Sequence, residues 1–162
     1  SKNTLADFQW MRDQGLTDKI RRISENCTVF GVCGGFQMMG EKIVGNSVEE
    51  GSVEGLGLLD METVFSQEKT LETVDYKFEN VFYTGYKIHY GESSLSEENL
   101  FETEKGQEGF FETGLGGTYI HDSLRNLDFL EWLLDEAGVE AELVKNDASE
   151  IKDILEDEVG FL

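Results

Sequence analysis

T-V-F-G-V-C-G-G-F-Q-M-M-G-E-K-I, Thr28 to Ile43, is the stretch whose reading decides the fold. It begins with a short apolar, β-branched run, Thr28 to Val32. It then meets Cys33 and two glycines and continues as an apolar-spaced segment from Phe36 to Ile43. Composition and period predict a buried strand, a tight turn and a helix. A cysteine at that junction stands at a helix N-terminus, where free backbone N–H groups are expected to stabilise a thiolate and lower its pKa. Gly31, Gly34 and Gly35 are expected to supply backbone angles that a Cβ disfavours. The layout is that of a nucleophile elbow, with sulfur where other elbows carry a serine hydroxyl. The N–H of Gly34 would face a developing oxyanion. The plainer alternative is a structural cysteine buried ahead of a glycine-rich turn.

A chain of 162 residues suits one domain with a real core, and 39% hydrophobic with 29% charged residues is a globular balance. No apolar run approaches the ~18 residues of a membrane span, and the reading expects no signal peptide. Cys27 and Cys33 are too few for a disulfide framework or an all-cysteine metal site, and with two histidines they show no zinc spacing. A Cys33 that must stay a thiol points to the cytoplasm. The net charge of −21 argues against nucleic acid and anionic membranes as partners. No G-x-x-x-x-G-K-[ST] is present, so no phosphate-binding loop of that kind is expected.

Along the chain, Thr4 is read as the N-cap of a helix with Asp7 completing a box-like start. Gly15 closes that helix, and a second runs from Thr17 to about Ser24. Val44 to Gly55 reads as a loop and Leu56 to Phe65 as a strand. Lys69 to Lys77 and Asn80 to His89 read as further strands. Ser93 to Gly109 reads as a polar, acidic surface segment. Phe110-Phe111 and Gly117 to Ile120 read as strands, and Leu124 to Ala137 as a helix. The tail from Val139 to Leu162 is expected to close the domain as a helix.

G-V-C-G-G-F-Q-M-M-G resembles the nucleophile motif of class I glutamine amidotransferases, in the branch found in cobyric acid synthase. Four other stretches carry the resemblance in the same order: S-K-N-T-L-A-D (Ser1 to Asp7), E-G-L-G-L-L-D (Glu54 to Asp60), G-Y-K-I-H-Y-G (Gly85 to Gly91) and G-T-Y-I-H (Gly117 to His121). The resemblance implies an α/β, three-layer flavodoxin-like fold, with residues 1–162 as one glutaminase domain. In that family two strands and a Pro-Gly precede the S-K-N-T. The chain is therefore expected to lack the family's first strands and part of its oxyanion loop.

By the same resemblance Cys33 is the nucleophile and His121 its base, with Gly34 in the oxyanion hole. Gln37, Gly35, His89 and Tyr86 are the implied substrate-binding positions. Against these stand plainer roles: a surface or core imidazole for His121, a strand histidine for His89, a helix-surface amide for Gln37. Met38 and Met39 read as core. Many class I members carry a carboxylate two residues after the histidine; Ser123 stands there, as the branch implies, which leaves the orienter of His121 unidentified. Asp122 replaces a usual glycine, Lys87 a usual glutamate and Tyr90 a usual methionine.

The implied reaction is glutamine plus water to glutamate plus ammonia, through a γ-glutamyl thioester on Cys33. Ammonia then passes to an ATP- and Mg-using synthetase domain or subunit that amidates corrinoid carboxylates in cobalamin biosynthesis, with no cofactor or metal on this domain. Two rival readings remain: a subunit amidating peptidoglycan precursors, and a non-catalytic interaction module of the same fold.

Overall fold

The computed structural model describes residues 3–46, 50–95 and 97–140. In chain order these form α1 (Thr4–Asp13), α2 (Leu16–Ser24), β1 (Val29–Val32), α3 (Gly34–Met39), β2 (Lys42–Val44) and β3 (Ser52–Glu54). Then come β4 (Glu62–Phe78), β5 (Val81–Ser94), β6 (Phe101–Thr103), β7 (Gly106–Glu108), β8 (Phe110–Glu112), β9 (Leu115–Thr118) and α4 (Leu127–Glu136).

Two glycines let α3 lie directly on strand backbone. β1 and β9 pair in parallel with Gly31 opposite Gly117, and the fully buried Phe36 sits over both. A Cβ on Gly31 would come within 2.6 Å of the Phe36 nitrogen. A Cβ on Gly117 would stand 2.5 Å from the Gly31 carbonyl oxygen and inside the Phe36 ring. β8 completes this sheet in the order β1-β9-β8. The second sheet runs β3-β2-β4-β6-β7, with β5 pairing β4 as a long antiparallel hairpin whose register breaks between Phe65 and Thr70.

Side chains alternate across a strand, and the exit of β9 uses this to join two cores. Tyr119 packs with Leu5, Phe8, Phe36, Met38, Met39, Met61 and Phe65. Ile120 packs with Val74, Tyr76, Phe78, Phe101, Phe129 and Leu133. The second core is largely aromatic: Phe129 lies 4.9 Å from Phe101 and 5.2 Å from Phe78, ring centre to ring centre, in edge-on geometry that aromatic pairs favour.

The elbow strand, its helix, α2 and α4 fall where sequence reasoning places them, with ends shifted by a few residues. Other elements differ for physical reasons. The cap of α1 is Asn3, whose side chain accepts the Ala6 N–H, not Thr4. α3 stops at Met39 because Gly40 is extended, and Lys42–Val44 is a strand. Leu56 to Met61 is not strand: the N–H groups of Leu56, Gly57, Leu58 and Leu59 donate to the carbonyls of Met38, Gly40 and Met39, satisfying the end of α3. β4 is one strand where two were expected. The segment read as acidic surface holds the β6–β7 hairpin, with Phe101 and Glu108 buried. The expected closing helix lies outside the described residues beyond 140. No helix among the described residues is long and apolar enough to cross a membrane.

Gly117→Ala should overpack the seat of Phe36 and cost about 1–3 kcal/mol, whereas Gly35→Ala, with open space around its Cβ, should change stability by less than about 1 kcal/mol. Urea denaturation of the two variants beside the parent checks this; equal midpoints would remove the close approach as the reason for these glycines.

Candidate active site

Cys33 leaves β1 with φ 52 and ψ −112, a conformation costing a non-glycine residue on the order of 1–3 kcal/mol. The turn's positive φ is therefore the cysteine's own; Gly31, Gly34 and Gly35, expected to absorb it, lie outside that region. The strain is held from both sides. The Cys33 N–H donates to the Thr118 carbonyl at 2.8 Å, and the Cys33 carbonyl accepts the Gln37 N–H at 3.0 Å as α3 begins. The thiol is turned to β5, where its Sγ lies 3.6 Å from the Ile88 carbonyl oxygen.

His121 follows the exit of β9, on the strand parallel to the one that delivers Cys33. Its N–H donates to the Tyr86 carbonyl at 2.8 Å. Its ring stacks flat on Tyr86, with centroids 4.8 Å apart and planes 7° from parallel. Gly85 permits this crossing, since a Cβ there would meet Ile120 at 2.5 Å and the His121 carbonyl at 2.6 Å. His121 Nε2 is buried with no hydrogen-bond partner. Burial lowers the His121 pKa, opposed by the charge of Asp122, so the ring is favoured as the neutral form that can accept a proton.

Burial also acts on the sulfur, in the direction opposite to the one expected from the elbow. It raises the Cys33 pKa, and the Gly34 N–H pulls it back only in part. The expectation of a depressed thiol is corrected on this point: loss of hydration outweighs the few N–H groups of a one-and-a-half-turn helix. The structure brings Cys33 and His121 to neighbouring strand ends, but they share no hydrogen bond; each is held by its own carbonyl of β5.

The remaining expected positions divide. Gly34 is buried behind Cys33, while Gly35 is exposed with open space around it. Tyr86 is partly exposed and covers His121. His89 turns to the Tyr119 ring at 4.1 Å and binds the Gly91 carbonyl through Nδ1 at 2.7 Å, with its pKa lowered by burial. Gln37 is not a helix-surface residue: it is 2% exposed and accepts the Thr4 hydroxyl at 3.2 Å. It also bonds Tyr119, whose phenol burial pushes up to about 12 against bonds from Ser93, Gln37 and Thr63. Ser93 bridges the Tyr119 and Thr63 hydroxyls at 2.5 and 2.7 Å.

Asp122 has φ 67, the region that favours glycine, which explains why a glycine suits the position. Ser123 Oγ is buried and unpartnered, so it does not orient His121. Glu108 escaped sequence reasoning altogether: it is 3% exposed and accepts bonds from the Thr118 hydroxyl and the Tyr119 N–H. Its only sequence signal is the pair of flanking glycines, Gly106 and Gly109, both at positive φ. A cavity of about 310 Å³ is lined by Glu72, Asp75, Lys87, Glu98, Lys105 and Glu108, among others, and by neither Cys33 nor His121. Among the described residues no group of three or more His, Cys, Asp or Glu is arranged to hold a metal ion.

The family model described as CobB/CobQ-like glutamine amidotransferase domain matches residues 1–129. The chain is 33% identical over 181 positions to a cobyric acid synthase of Clostridium botulinum (strain Langeland), covering 100% of this chain and 36% of that protein. It is 34% identical over 189 positions to a probable cobyric acid synthase of Methanosphaera stadtmanae, covering 100% and 38%. A probable cobyric acid synthase of Picrophilus torridus is 33% identical over 177 positions, covering 100% and 38%. The chain thus spans a little over a third of the length of these relatives. A solved structure described as a glutamine amidotransferase superposes with a TM-score of 0.58 at 19% identity, covering 81% of this chain and 72% of that one. That likeness shows the fold, α/β and consistent with the flavodoxin-like arrangement of class I amidotransferases.

Two measurements check the electrostatics. Because burial raises the Cys33 pKa, its alkylation by iodoacetamide should still be rising above pH ~8.5, the ordinary thiol value; a plateau below pH 7, read by peptide mass spectrometry, would contradict it. Removing the Asp122 charge destabilises imidazolium, so Asp122→Gly should lower the His121 pKa in an NMR titration. An unmoved titration would show that Asp122 does not act on the ring.

Proposed function

The chain belongs to the family of CobB/CobQ-like glutamine amidotransferase domains, and on that premise we propose that it is the glutaminase domain of a cobyric acid synthase. In this reading Cys33 Sγ attacks the side-chain amide carbon of glutamine, and His121 Nε2 takes the thiol proton. The carbonyl oxygen, now an oxyanion, faces the Gly34 N–H. Collapse expels ammonia with the proton from His121 and leaves a γ-glutamyl thioester. Water, deprotonated by His121, hydrolyses the thioester to glutamate and free thiol. Gly35, Tyr86 and His89 line the substrate side, and Gln37 acts by fixing Tyr119 and the start of α1.

The observation that carries the proposal is the backbone of Cys33: a strained φ of 52 at a strand-to-helix turn, maintained beside a parallel strand that leads to His121, a half-buried imidazole whose Nε2 is buried without a hydrogen-bond partner. In this reading the thiol must leave the Ile88 carbonyl and meet His121 before attack. Ammonia then serves an ATP- and Mg-dependent synthetase unit, which amidates corrinoid carboxylates in the cytoplasm. Residues 1–162 are read as one domain without a cofactor of its own. An amidotransferase subunit acting on peptidoglycan precursors would use the same site. The thiol's bond to Ile88 and its raised pKa favour one further reading, a non-catalytic module of the same fold.

6-Diazo-5-oxonorleucine should label Cys33 and spare Cys27, and excess glutamine should slow the labelling. Cys33→Ala should abolish glutamine hydrolysis measured with the synthetase unit present, and His121→Ala should lower it about 10²–10⁴-fold. Equal labelling of both cysteines, or labelling indifferent to glutamine, would leave the non-catalytic module as the better reading.

A further inference from the structure

Two strands hold the backbone of Cys33 and His121 and the Cys33 thiol, and they belong to different sheets. β5 offers its Tyr86 carbonyl to the His121 N–H and its Ile88 carbonyl to the Cys33 thiol. β9 offers its Thr118 carbonyl to the Cys33 N–H, then leads through Tyr119 and Ile120 to His121. The placement of sulfur against imidazole therefore depends on how firmly β5 and the exit of β9 stay together.

Glu108 stands in that gap. Its Oε2 accepts the Thr118 hydroxyl at 2.5 Å, and its Oε1 accepts the Tyr119 N–H at 2.9 Å. The Thr118 hydroxyl in turn accepts the Ile120 N–H at 3.0 Å. Both N–H groups between Thr118 and His121 are thus anchored on one carboxylate, directly or through one hydroxyl. The ammonium of Lys87, which lies on β5 between Tyr86 and Ile88, is 3.7 Å from the same Oε1. A carboxylate with 4% side-chain exposure is costly to bury; such a pair is often no better for stability than apolar residues of the same volume. Its presence at this one crossing calls for a reason in geometry.

Resting on the glutaminase reading above, we infer that Glu108, paired with Lys87, is the positioning residue for Cys33 and His121. It fills the place of the carboxylate that Ser123 does not supply, and it acts on the strand that carries the base instead of on the imidazole.

The test is saturation kinetics of Cys33 labelling by 6-diazo-5-oxonorleucine on the whole chain, giving a maximal rate and a half-saturating concentration, with folding checked by circular dichroism. Glu108→Ala should lower the maximal rate about 10–100-fold, the scale of a small misplacement of reacting groups, and leave the half-saturating concentration within about threefold. Glu108→Gln, which keeps an acceptor for the Tyr119 N–H, should recover much of the rate. Lys87→Met should fall between, and Ser123→Ala should match the parent. Where Glu108→Ala does not fold, Glu108→Gln and Lys87→Met carry the test. Folded Glu108 and Lys87 variants with the parent's maximal rate would overturn the inference while leaving the glutaminase reading standing. A parent chain that fails to label at Cys33 would overturn both.

Discussion

The contact on which the rest depends is the one between α3 and bare backbone. Phe36 rests where Gly31 and Gly117 present no side chain, and this fixes both the height of α3 above β1 and β9 and the angle at which Cys33 leaves its strand. A helix of six residues has almost no stability of its own; it exists because its surroundings hold it. Thr4 at the start of α1 bonds Gln37, the N–H groups of Leu56 to Leu59 satisfy its last carbonyls, and Arg21 secures that loop through the Gly55 and Leu56 carbonyls at 2.9 Å. One of the five motifs is thus this short helix with the turn that starts it, and the other four gather around it.

The same crowding sets the electrostatics. Burial disfavours charge on both Cys33 and His121, raising the one and lowering the other. The pair rests as neutral thiol and neutral imidazole, an arrangement that avoids holding an unsolvated ion pair before substrate arrives. The energy of the strained cysteine is borne by the two cores that meet at Tyr119 and Ile120, so the rigidity of the site is a property of packing on both faces of β9's exit.

Much of this was legible because local pattern and tertiary context agree. The run from Val29 to Val32, the helix after Cys33, the apolar spacing of α4 and a histidine at a strand end all survive. Apart from the cap of α1, which is decided locally by Asn3, the failures share a cause, which is that long-range partners decided the outcome. Gly40 is a local stop signal for α3, but the partners that satisfy the helix's last carbonyls, the N–H groups of Leu56 to Leu59, are not local. Glu108 reads as one acid among many until Thr118 and Tyr119 are brought to it. The direction of the Cys33 shift could not be read from a helix N-terminus alone, because the opposing loss of hydration depends on what covers the sulfur. Gln37, read as a substrate-binding position with a helix-surface amide as the plainer alternative, is buried because its partners Thr4 and Tyr119 lie far off in sequence.

The unequal shelter of the two cysteines bears on how the protein ages in air. Peroxide attacks the thiolate, so a thiol that is partly covered and kept protonated oxidises slowly. Cys27 lies exposed after α2, with no neighbouring cysteine to form a disulfide with except Cys27 of another copy. Oxidative damage in a stored sample therefore shows first as sulfenic acid and covalent dimers through Cys27, while the sulfur of Cys33 stays reduced. Dimer bands on a non-reducing gel then measure the history of the surface and say little about the integrity of the elbow.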